Sequence, residues 1–190
     1  TDRGIWYGYG RMDYGIPIDL ALAEQDLRHA LELNPESTRA RDNLARALVF
    51  GLPQRPGADT DQAKLGVLAE ALGVLNVGLD RAPDQIRFRE TLDDLLNELD
   101  SLLYKNVSMS ELVDLIDRMG RSGSELSAPD RAAALAAEAE LRSANGDWAA
   151  AAQHLVRATR SDPPNGPIRR ALLACVEQLI STNNGGSGAE

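Results

Sequence analysis

The chain has 190 residues, a mass of 20.5 kDa and a formal charge of −9, with a sequence pI near 4.8. Leu (28) and Ala (27) dominate while aromatics make up 4%, a balance that favours helix over strand, points to an all-α protein and argues against a sandwich or barrel. The acidic surface repels phosphate, so nucleic acid is not an expected partner; one cysteine and two distant histidines leave no disulfide framework and no Cys- or His-based metal site.

Residues 1–15 stand apart. The stretch 4–15 holds four of the eight aromatics (Trp6, Tyr7, Tyr9, Tyr14) and four glycines, too much Gly for a regular helix. From Pro17 the pattern changes. Leu20, Ala23, Leu27, Ala30 and Leu31 recur at steps of three and four, the helical period. Asn34-Pro35 ends this first helix, because the residue before Pro avoids the α region.

A second helix is expected from about 38 to 50, stopped by Gly51, and residues 51–61 read as a loop rich in turn residues. Further helices are expected over about 62–80, 84–104 and 109–119. Residues 120–128 read as a second loop. Pro129 then suits the first turn of a helix running to about 144. Asn145-Gly146-Asp147 is a tight turn, and helices over 148–161 and 167–182 follow it. The end, 183–190, reads as a flexible tail or linker. The absence of an initial Met suggests a fragment or a processed chain. No apolar run approaches the ~20 residues that cross a bilayer, and no signal peptide opens the chain. The expectation is therefore a cytoplasmic domain over 16–182, flanked by an aromatic segment (1–15) and a tail.

Three segments share one spacing. Ala23, Leu27, Ala30 and Pro35 are separated by four, three and five residues. Ala71, Leu75, Gly78 and Pro83 repeat those steps, as do Ala151, Leu155, Ala158 and Pro163. A small residue admits a neighbouring helix, the large one fills the gap, and the Pro reverses the chain. The pattern resembles the second helix of the tetratricopeptide repeat. Residues 26–35 are close to that family's common helix ending, and Gly146-Asp147-Trp148 resembles its turn between paired helices. The resemblance implies an α-solenoid of about four antiparallel helix pairs. The array is irregular, since Pro35 to Pro83 is 48 residues and Pro83 to Pro163 is 80, against roughly 34 for the standard repeat. An unrelated antiparallel helical bundle is the alternative.

The search for chemistry yields little. His29 and His154 are lone helical histidines. Cys175 sits in an apolar helical stripe and reads as a small buried hydrophobe. The N-terminal glycines lack the Gly-Lys-Ser/Thr of a phosphate loop. Asp93, Asp94, Glu98 and Asp100 lack the alternating ligands of a calcium loop and read as a solvated face. No enzyme motif, metal site or cofactor is expected.

Binding reads better. Arg39, Asn43 and Arg46, at steps of four and three, share one helix face. Arg87 opens another helix. Together they form a basic strip in an acidic protein. Some tetratricopeptide proteins hold a partner's C-terminal carboxylate at five groove positions; Asn43 and Arg87 match two of these, whereas Gly8, Met12 and Thr91 do not. The expectation is a groove for an acidic peptide or helix of a partner protein. Trp6, Tyr7 and Tyr9 are further candidate contacts, docking in this molecule or in another. The Ala-rich runs 132–137 and 149–152 serve either close helix packing or a shallow partner surface. The function expected is a protein–protein scaffold or adaptor. The alternatives are a regulatory or substrate-recruiting part of a larger enzyme or chaperone, and a self-assembling homo-oligomer subunit.

Overall fold

The computed structural model describes residues 20–104 and 127–185. Over these the chain is all-α, with seven helices and no strand. They are α1 (Leu20–Leu33), α2 (Thr38–Gly51), α3 (Asp61–Arg81), α4 (Ile86–Tyr104), α5 (Ala128–Ala144), α6 (Trp148–Ser161) and α7 (Gly166–Gly185). The helix expected at 109–119 and the aromatic segment 1–15 lie outside the described residues.

Expected and observed boundaries differ in three informative places. Gly51 does not stop α2. It keeps helical geometry under the side chain of Leu20, which lies 3.2 Å from where a Cβ would stand. The α-helix gives way to a 3-10 turn, Leu52–Gln54, at Pro53, whose ring and missing N–H break the ladder. The left-handed residue of the loop is Gly57 (φ +82°). Helix α4 begins at Ile86, later than expected, because Pro83 to Gln85 belong to a turn. Helix α7 runs through Gly185, further than expected, since no Pro follows and no residue there takes a positive φ.

Short polar side chains open the helices. Ser37, Thr60, Ser127 and Asp147 accept the backbone N–H of Ala40, Ala63, Asp130 and Ala150, each satisfying a donor that has no partner within its helix.

The three repeated segments close in the same way. The N–H of Asn34, Ala82 and Asp162 binds the carbonyl of Ala30, Gly78 and Ala158, the third residue of each motif. A turn follows, with Ser37 N–H on Asn34 O, Gln85 N–H on Ala82 O and Asn165 N–H on Asp162 O, and with Pro at the position where its fixed φ is favourable. An arginine six residues after each Pro then returns to the Pro carbonyl: Arg41 to Pro35, Arg89 to Pro83 and Arg169 to Pro163. The repeat is therefore longer than the spacing of small, large and Pro residues shows.

The chain divides into two compact units, with the boundary between Leu95 and Leu96 inside α4. In the first unit α2 packs on both α1 and α3. Ala23, Leu27, Leu44, Leu48, Leu68, Leu72, Leu75 and Phe88 are buried in its core. Gly78 is required at its motif position, because a Cβ there would lie 2.7 Å from the buried Phe88 ring, far inside ordinary contact. In the second unit α6 packs on α5 and α7. Its small residues serve this packing: Ala132, Ala139, Ala151, Ala152 and Ala158 are buried, beside Leu155, Val156, Leu172 and Val176. Ala133, Ala134 and Ala137 remain exposed.

Candidate functional site

The expected basic strip lies in the first unit and is less uniform than its sequence implies. Arg39 and Arg87 are exposed, Arg46 is half-buried, and Asn43 is buried at 8% exposure. The Arg46 guanidinium sits 5.6 Å from the centre of the Phe50 ring, within the range of a cation–π contact. Phe50 is itself 43% exposed. Helix α2 thus carries Arg39, Asn43, Arg46 and Phe50 at steps of four, three and four, the spacing of one face. The Asn43 Nδ2 group is buried without a hydrogen-bond partner, a costly state for an amide donor. The aromatic candidates Trp6, Tyr7 and Tyr9 lie outside the described residues.

Sequence reading missed the carboxyl group beneath this strip. Asp42 is 1% exposed, and the Thr91 hydroxyl from α4 lies 3.1 Å from its Oδ1. The same hydroxyl lies 2.9 Å from the carbonyl of Arg87. One hydroxyl hydrogen serves one oxygen at a time. The Asp42 carboxylate and the Arg87 carbonyl therefore compete for it. Burial pushes the Asp42 carboxyl up from its ordinary value. Thr91, Arg46 and Arg87 oppose the rise, and Glu90 adds to it. Thr91, one of the three positions at which the clamp pattern fails, joins α2 to α4 instead.

The turn at Pro35 forms one end of the strip. Arg41 and Arg81 both donate to the Pro35 carbonyl, and Arg81 also pairs with Glu36 at 2.9 Å. Desolvation lowers the Arg41 pKa from its usual value, and the neighbouring Arg81 lowers it further, against Glu36.

A second feature of the first unit is a cleft of about 470 Å³ along α1 and the 51–56 loop. Glu24 lies at its base, 7% exposed, and takes up Arg55 and Arg28. Arg28 also pairs with Glu70 from α3. His29 Nδ1 lies 3.1 Å from Glu32 Oε2 on the outer edge, an exposed pair.

In the second unit Asp100, which reads from sequence as part of a solvated acidic face, instead accepts Arg160, which also binds Asn97. Burial raises the Cys175 thiol pKa. Among the described residues no three His, Cys, Asp or Glu side chains come together to hold a metal ion, and no helix is long and apolar enough to cross a membrane. Comparisons with protein-family models, curated proteins and solved structures gave no match.

Proposed function

We propose that the chain is a tetratricopeptide-like array of helix pairs whose α2–α4 face binds an extended acidic segment of a partner protein, in a binding rather than a catalytic role. The observation that carries this reading is the accessible cationic face itself: Arg39 and Arg87 are exposed, and the half-buried Arg46 lies over the 43% exposed Phe50 ring. These guanidinium groups favour a carboxylate through charge-assisted hydrogen bonds, and the Phe50 ring offers an apolar contact beside them. The closing geometry repeated at Pro35, Pro83 and Pro163 supports the helix-pair part of the reading.

The test uses fluorescence anisotropy with a panel of labelled synthetic peptides rich in Asp and Glu, half of them ending in a free carboxylate. Binding should weaken as salt rises. Exchanging the exposed Arg39 and Arg87 for Glu should reduce affinity at least about tenfold, since two favourable charge contacts become repulsive. Peptide binding that is indifferent to both exchanges overturns the proposal.

A further inference from the structure

We infer that Asn145 is a site of spontaneous deamidation in the folded chain, and that its conversion to isoaspartate loosens the turn joining α5 to α6.

The reaction dictates the residue types. The backbone nitrogen of the following residue, its proton lost to solvent base, bonds to the Asn Cγ, and the carboxamide nitrogen leaves as ammonia. Water then adds to one of the two carbonyls of the resulting succinimide ring and opens it. Cleavage of the Cγ–N bond leaves aspartate; cleavage of the backbone C–N bond leaves isoaspartate. A side chain on the following residue crowds the attack, and glycine has none. Asn-Gly occurs at 145–146, 165–166 and 184–185.

The fold separates the first two. Asn165 is half-buried, and Gly166 is buried. The Asn165 carboxamide is tied at both atoms. Its Nδ2 donates to Asp162 Oδ2 at 3.0 Å, and its Oδ1 accepts the Ile168 N–H at 3.3 Å, capping α7. Attack there requires the cap to break and Gly166 to leave the interior. Asn145 and Gly146, by contrast, are both exposed. A Cβ on Gly146 would meet nothing within 4 Å among the described residues beyond its chain neighbours, so a succinimide ring has room at this position.

The resting turn must first open. Gly146 takes φ +78°. Its N–H donates to Ser143 O at 3.0 Å, and the Asp147 N–H donates to Arg142 O at 3.0 Å, the paired closure of a helix that ends in a left-handed glycine. With Asn145 ψ at 3°, the Gly146 nitrogen eclipses the Asn145 nitrogen and is turned away from Cβ. Conversion therefore proceeds from the frayed end of α5, an opening with little burial to undo.

The same bonds show what conversion disturbs. Isoaspartate carries the main chain through Cβ and Cγ, one atom longer, and leaves a free carboxylate beside it. The added atom falls between Asn145, which ends α5, and Asp147, whose Oδ1 accepts the Ala150 N–H at 3.2 Å and opens α6. The new negative charge also sits at a helix C-terminus, where it is unfavourable.

The experiment ages the full chain in warm, mildly alkaline buffer, both native and in denaturing urea, with Asn184→Gln to silence the third dipeptide. Trypsin places Asn145 in peptide 143–157 and Asn165 in peptide 161–169, so mass spectrometry reads each site alone. In the native chain Asn145 should convert at least about tenfold faster than Asn165, whereas in urea the two rates should agree within about threefold. Anion exchange then isolates the converted chains, and an isoaspartyl methyltransferase assay identifies those carrying isoaspartate. Their urea midpoint should fall below that of Asn145→Asp, which adds the same charge without rerouting the chain. A native gap no wider than the gap in urea overturns the inference, as does an Asn145 left unchanged while the urea-unfolded chain converts. Isoaspartate chains as stable as Asn145→Asp overturn the loosening of the turn.

Discussion

Asp42 shows how one side chain changes the meaning of its neighbours. Without it, Arg39, Asn43, Arg46 and Arg87 form a plain cationic strip; with it, the strip has at its base a buried acid whose charged form is penalised by burial. The folded carboxyl holds its proton to higher pH than the unfolded one. The stability this supplies is present in full below the unfolded pKa of about 4 and is lost as pH rises through the folded value. Asn resembles the protonated acid and does not titrate. We therefore expect urea midpoints of the parent to fall relative to those of Asp42→Asn as the pH rises above about 4. The other carboxylates are common to both chains and cancel in the difference. A parent that gains on the variant as pH rises would show that Arg46 and Arg87 outweigh burial. The carboxyl was hidden from sequence reading for a physical reason. Helical periodicity sorts residues on one element, whereas the fate of Asp42 is set by Thr91, 49 residues away on another helix.

The helices themselves were legible because Leu and Ala recur at the helical period and Pro marks the turns. What escaped was the closing arginine of each turn. It lies in the next helix, and an Arg there reads as ordinary surface charge until its guanidinium is seen on the Pro carbonyl. The three cases form a graded series. Arg169 is 1% exposed, Arg41 is 8% exposed, and the side chain of Arg89 is 40% exposed. A hydrogen bond from a charged group is worth about 1.5–3 kcal/mol where water is excluded, and an exposed one is worth far less. Replacing each by Ala should therefore cost stability in the order Arg169, Arg41, Arg89. The first should lose about 2–3 kcal/mol, including the packing of its buried stem, and the last under about 1 kcal/mol. Urea denaturation of the three variants checks the order. Equal losses would mean that the turns, rather than the arginines, hold the helix pairs together. Gly51 gives the converse lesson: a residue that often ends helices is the last one of α2, packed close under Leu20.

For the molecule as a whole, composition correctly excluded strand among the described residues, and the same composition supplies a probe of the second unit. The one cysteine, Cys175, is 7% exposed on α7, and burial raises its pKa. Both facts act in the same direction. A buried thiol cannot meet a reagent, and a thiol held protonated offers little thiolate, the reactive form. Labelling therefore needs an opening of the second unit, and its rate measures how often that occurs. Iodoacetamide at mildly alkaline pH should modify the native chain at least about a hundredfold more slowly than a free thiol. Each further factor of ten corresponds to about 1.4 kcal/mol of opening free energy. The rate should climb with urea along the helical circular dichroism transition. Replacing Arg169, which closes the turn leading into α7, by Ala should raise it in native buffer by the factor that the measured stability loss dictates. Fast labelling of the native chain would instead mean that α7 detaches while the rest of the unit stays folded, and the Arg169→Ala exchange would then accelerate labelling without moving the main unfolding transition.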